Sequence, residues 1–176
     1  LSAGELRSAA VESAAENLAD GVVAPLTAFA LGAHVSLAVG VGAAVWVKAV
    51  NTLDSMLGYH SKPVGWASAR LDDIVMWLPA RISAACIAVA AGKPRALLRA
   101  REWAAAPPSP NSGWPMATLA VVLDVRLTKA KAYVLNPDAA LPAARDANQG
   151  TRIVTGAGLL AFLLAGLVAG LAGVSG

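Results

Sequence analysis

Glu12, Glu16 and Asp20 recur at intervals of four, a spacing that stacks three carboxylates on one face of a helix. Like charges so placed destabilise a helix by a few tenths of a kcal/mol per pair, so another group should compensate them. Either water solvates the face, or a hard cation sits on it, because carboxylate oxygens suit Mg²⁺, which keeps several waters and bridges to phosphate. Asn17 adjoins the face and offers an amide oxygen. A second polar block runs Lys48-Ala49-Val50-Asn51-Thr52-Leu53-Asp54-Ser55-Met56-Leu57-Gly58-Tyr59. Lys48 there suits a phosphate, and Asp54 suits a metal or an amine. The alternative is an ordinary interfacial loop with Tyr59 as its belt aromatic. Arg70, Asp72 and Asp73 open a further helix, where first-turn acids also complement the helix dipole. Arg70 is placed to pair with them or with an anionic substrate.

The elements that must hold these residues follow from hydropathy. Glu5 to Asp20 has good helix formers, and Ser2 with Glu5 three residues later forms a capping box, so residues 1–21 are expected as an amphipathic helix. Val22 to Val47 and Ile153 to Val174 are free of charge and long enough to cross a bilayer core of about 30 Å. Between them lie a polar motif segment, 48–73, and a third apolar stretch, 74–92, expected to kink near Pro79 and Arg81. An Arg at membrane depth implies an interface or a polar cavity. Residues 93–152 read as a basic cytoplasmic loop, with a rigid turn run from Ala106 to Pro115 and an apolar stretch, Met116 to Leu123, too short to span. Gly166 and Gly170 form a GxxxG face in the last span.

Composition agrees, since only 14% of the 176 residues are charged and 57% are apolar, where a soluble domain carries about 25% charge. The expected fold class is all-α: one polytopic, integral membrane helical domain with short re-entrant or interfacial segments, multi-pass in the inner cell membrane. Neither long apolar stretch looks like a cleaved signal peptide, and a chain beginning at Leu1 is expected to be the C-terminal part of something longer. The net charge of +3 comes with no nucleic-acid recognition motif, and nucleic acid is not an expected partner. Cys86 is the single cysteine and His34 and His60 lack ligand spacing, so neither a disulfide nor a thiolate zinc site is expected. There is no phosphate-binding GxxxxGK[ST] loop and no nucleophile elbow.

Four stretches, in order, resemble the cobalamin-biosynthesis family CobD/CbiB, also called adenosylcobinamide-phosphate synthase. They are Glu12 to Leu26; Lys48 to Tyr59; Gly65 to Asp73 with Pro79-Ala80-Arg81; and Pro108-Ser109-Pro110-Asn111-Ser112-Gly113-Trp114-Pro115. The resemblance covers roughly residues 5–127 and implies that an N-terminal membrane region of the family is missing here. It implies an ATP-dependent amide ligase joining adenosylcobyric acid to aminopropanol or its phosphate, with Mg²⁺ serving ATP. On that resemblance Glu12, Glu16, Asp54, Arg70, Asp72 and Asp73 are the catalytic set, and Glu12, Glu16, Asp20 and Asp54 the metal set. Asn17, Lys48, Asn51, Tyr59, Arg81, Ser109, Asn111 and Trp114 are then the substrate-binding set. The lipid bilayer and other corrinoid-pathway membrane proteins are the implied partners. Met116 departs from the family Glu at its position, and Leu127-Thr128-Lys129 replaces a Leu-Gly-Gly. The other function class is a nonenzymatic membrane scaffold or transport subunit, which should tolerate loss of Asp54 or Glu16.

Catalysis with cytoplasmic substrates further requires the motif blocks to share one side of the bilayer. Three simple spans would divide them. Val22 to Val47 is therefore expected either as a re-entrant helical hairpin with His34 near its turn, broken by Pro25, Gly32, Gly40 or Gly42, or as a simple span that leaves the site divided.

Overall fold

The computed structural model describes residues 1–57 and 63–174, and Gly58, Tyr59 and His60 lie outside the described residues. The chain opens with α1 (Ala3–Leu18), whose capping box is formed: Ser2 Oγ accepts from the Glu5 N–H and Glu5 Oε2 accepts from the Ser2 N–H at 2.6 Å. At its far end the helix widens into a π-turn, Ala19–Val23, and continues as α2 (Ala24–Gly32). Pro25 accounts for the widening. It has no N–H to give the Gly21 carbonyl and would crowd it, and the extra residue in the turn relieves both problems.

Pro25 therefore does not break the segment. The break falls at residues 33–36, which include His34, and α3 (Leu37–Leu57) starts after Ser36, whose Oγ accepts from the Val39 N–H. The two legs run back on each other because glycine lines their contact: a Cβ on Gly32 would stand 2.8 Å from the Gly40 Cα. Val22 to Val47 is thus a hairpin, and α3 carries the polar block helically as far as Leu57 rather than as a loop.

α4 (Pro63–Val75) and α5 (Trp77–Ala90) meet at a 48° bend. The bend lies at Met76, upstream of the expected kink. Pro79 supplies no donor for the Val75 carbonyl, so the first helix stops at Val75 and Pro79 takes its tolerated place in the first turn of the next.

Residues 93–152 are not the expected loop. They hold α6 (Ala96–Ala100), α7 (Gly113–Leu123), an antiparallel hairpin of β1 (Leu127–Lys129) and β2 (Tyr133–Leu135), and the start of α8 (Ala144–Val174). The described residues are mostly helical, as expected, with this short two-stranded hairpin added. Met116 to Leu123, too short to span, belongs to the most deeply buried helix: Met116, Ala117, Leu119 and Ala120 are fully covered and pack with Val11, Ala15, Ile87 and Ala157. Trp114 and Pro115 open that helix, so the turn run stops at Ser112.

Among the described residues two helices are long and apolar enough to cross a membrane, Leu37–Leu57 and Ala144–Leu171, and the bent pair α4 and α5 makes a third candidate. Gly166 and Gly170 meet no neighbour within 4 Å.

Candidate active site

The hairpin turn sends α3 back beside the π-turn, and α4 packs against α3 on the other side of the bend at Met76. One cavity of about 160 Å³ results. Glu16 and Asp20 line it from the first helix, Asn51, Asp54 and Ser55 from α3, Asp72 and Met76 from α4 and the bend, and Ser109, Asn111, Ser112 and Pro115 from the turn run. All four polar blocks contribute, although they span almost a hundred positions. Drug-sized ligands occupy roughly 300–1,000 Å³, so this cavity suits the reacting end of a ligand rather than a whole one.

Asn51 is buried and holds the acids in register. Its amide hydrogen-bonds with Asp20 and Asp72, while its carbonyl oxygen accepts from Lys48 Nζ at 3.3 Å. Burial pushes the Asp20 carboxyl above its ordinary value, with the Asp54 charge adding to the effect and the Asn51 hydrogen bond and Lys48 opposing it. Burial likewise raises Glu16, assisted by Asp20 and Glu12 and opposed by Lys129. Asp72 Oδ1 is buried without a hydrogen-bond partner, an orphaned acceptor that costs about 1–3 kcal/mol unless a donor or cation reaches it.

Asn111 fixes the turn run to the other blocks. Its side chain donates to the Asp73 carbonyl at 2.8 Å and accepts from Arg81 Nη1 at 3.2 Å. That guanidinium also donates to the Trp77 carbonyl and lies over the Trp77 and Trp114 rings, 4.3 and 5.1 Å from their centres. Arg81 and Trp114 therefore brace the cavity without lining it.

Other expected site residues lie elsewhere. Glu12 is buried beneath the β-hairpin, accepting from Ser8 Oγ at 2.7 Å and from the Tyr133 hydroxyl at 2.5 Å. Ser8 Oγ in turn accepts from the Thr128 N–H. Burial, then Glu12, pushes the Tyr133 phenol above its ordinary value. Asn17 is exposed and donates to Ser13. Arg70 is 58% exposed, 4.0 Å from Asp73, and lies over Trp66, outside the lining. Ser55, Ser112, Ser8 and Tyr133 were not among the expected residues. Ser8 had one local signal, its place one turn before Glu12, whereas Tyr133 had none.

A sequence model of the CobD/Cbib protein family matches residues 1–169. The chain belongs to the CobD/Cbib family. It is 40% identical over 173 residues to a probable cobalamin biosynthesis protein CobD of Methanothrix thermoacetophila, covering 96% of this chain and 54% of the relative. It is 38% identical over 179 residues to the cobalamin biosynthesis protein CobD of Rhodobacter capsulatus, covering 95% and 55%. A CobD of Mycobacterium tuberculosis is 48% identical over 130 residues, 69% of this chain and 39% of that protein. The chain thus spans about half the length of the first two of these curated relatives. No solved structure matches.

Among the described residues no three carboxylate, imidazole or thiol groups stand close enough to form a ready metal cluster. Glu12 in particular is removed from the expected metal set by its hold on Tyr133 and Ser8. The remaining donors are all oxygen and one of them, Asp72 Oδ1, is unsatisfied. That chemistry fits Mg²⁺, which is usually bound through one or two carboxylates with water and phosphate completing its shell.

Proposed function

We propose that this CobD/Cbib chain acts in cobalamin biosynthesis, at a site where a carboxylate of a corrinoid side chain is joined in amide linkage to aminopropanol or its phosphate. The observation that carries the reading is the convergence of the four polar blocks on one carboxylate-rich cavity. A carboxylate and an ammonium condense with loss of one water; ATP, as cosubstrate, takes up that water equivalent in its cleavage to ADP and phosphate, and one proton is released in the coupled reaction. Asp54 and Asp20 are placed to receive the ammonium and its proton, and the raised Asp20 is the better proton acceptor of an ordinary carboxylate kind. Lys48, exposed and held by Asn51, would meet a phosphate entering from outside the cavity. Held through Asp72, whose Oδ1 lacks a partner, Mg²⁺ would neutralise phosphate charge, with water and phosphate completing its shell. Arg70 and Asp73 hold α4 in this reading. The site would lie on the cytoplasmic face of a multi-pass inner-membrane protein, with other corrinoid-pathway membrane proteins as neighbours.

The test is growth of a strain that depends on corrinoid amidation, complemented by the full-length protein at matched abundance. Glu16→Gln and Asp54→Asn should each abolish growth. Normal growth by both variants would overturn the ligase reading and leave the scaffold as the surviving role.

A further inference from the structure

α5 ends where α8 begins to expose its apolar side chains. A Cβ on Gly156 would stand 3.6 Å from the Ala90 Cβ, so the last turn of α5 is level with Gly156. Beyond that level Leu159, Phe162, Leu163, Leu167 and Leu171 are 63–68% exposed, along a helix long and apolar enough to cross a bilayer. Gly92, at φ +66, then turns the chain away from α5, and the Lys93 N–H closes the turn on the Ala88 carbonyl at 2.8 Å. Lys93, Arg95, Arg99 and Arg101 follow within nine positions, with Glu102 the first acid after them.

Three of these cations, with Pro94 and Val121, line an open groove of about 500 Å³. Lys93 Nζ is fixed by donating to the Val122 carbonyl at 2.8 Å and keeps two further donors. Arg95 and Arg99 are exposed, and among the described residues neither is in an ion pair. Leu98, on α6 next to Arg99, is 65% exposed.

We propose that this groove binds the phosphate headgroup of an anionic lipid, with Leu98 seated at the acyl boundary. The proposal rests on the membrane reading of α8, not on the ligase reading. Cations clustered beside a span strengthen attraction to anionic lipid roughly five-fold per charge, and a groove formed by three of them adds a defined place for one headgroup. Phosphate accepts from the Arg forks, and an exposed Leu98 beside them suits the acyl boundary.

Full-length protein in nanodiscs of phosphatidylcholine, with or without phosphatidylglycerol, tests this by native mass spectrometry of retained lipid. Wild type should retain phosphatidylglycerol preferentially, and R95Q/R99Q should bind it about 25-fold more weakly. R145Q is the control, because Arg145 lies eleven residues, about 16 Å, before Gly156, beyond the screening length of physiological salt. Insertion without lipid preference, or wild-type retention by R95Q/R99Q, would overturn the proposal alone. Equal displacement by soluble glycerol phosphate would also overturn it, reassigning the groove to free phosphate. Failure of wild type to insert would overturn the membrane reading of α8 and the proposal with it.

Discussion

Glu12 and Glu16 stand one helical turn apart and face different surroundings. Glu16 opens into the cavity, and Glu12 closes a buried network with Ser8 and Tyr133. Tyr133→Phe should destabilise the full-length protein by about 1–3 kcal/mol, read as a loss of thermal stability in detergent, because it strips a donor from a buried carboxylate. An unchanged melting temperature would mean that water replaces the phenol. Glu16 and Asp20 also set a pH dependence. Their carboxyls are raised in the folded chain above 4.5 and 3.8, so between those values and the raised ones the folded state holds more protons than the unfolded state. Stability should fall as pH rises through that window and recover on acidification. Asp20→Asn should make the fall in stability above pH 3.8 shallower in a thermal-melt series, and a wild-type slope in the variant would remove Asp20 as a source of it.

The helical hairpin depends on what glycine omits. A Cβ on Gly32 would press on the Gly40 Cα and on the Val39 carbonyl at 2.9 Å, both of them backbone atoms that cannot swing aside. Gly32→Ala should therefore part α2 from α3 and cost about 1–3 kcal/mol. Since α3 carries Asn51 and Asp54, turnover should fall as well, whereas Gly42→Ala, with open space around it, should behave as wild type in both assays. The same elements show why some of the fold was legible. Ser2 with Glu5, and the break between Gly32 and Gly40, have partners a few positions away, so spacing revealed them. α7 was misread as part of a loop because a helix buried on every side shows no alternation of apolar and polar residues, and proline crowds its start.

At the scale of the whole molecule, the four polar blocks meet in one cavity. Ser55 and Ser109 line one cavity from blocks that three simple spans would have put on opposite sides. In a Cys86→Ala background, cysteines at Ser55 and Ser109 should be labelled by an impermeant thiol reagent from the same side. Labelling from opposite sides would contradict the shared cavity. The four polar blocks were visible as a set because each is a dense local run. Tyr133 was not, since its acidic partner is 121 positions away and nothing in the neighbouring sequence announces it. That separation also has a consequence in time. The Ser8 and Glu12 contacts cannot form until the β-hairpin has been made, so at about 5–20 residues per second the first helix waits roughly 6–24 s after its own synthesis before its buried face is covered. During that interval the nascent chain exposes an unprotected surface on the very helix that carries Glu16, and a ribosome-bound chain stalled before Thr128 should be cut by protease near Ser8 where the finished protein is not.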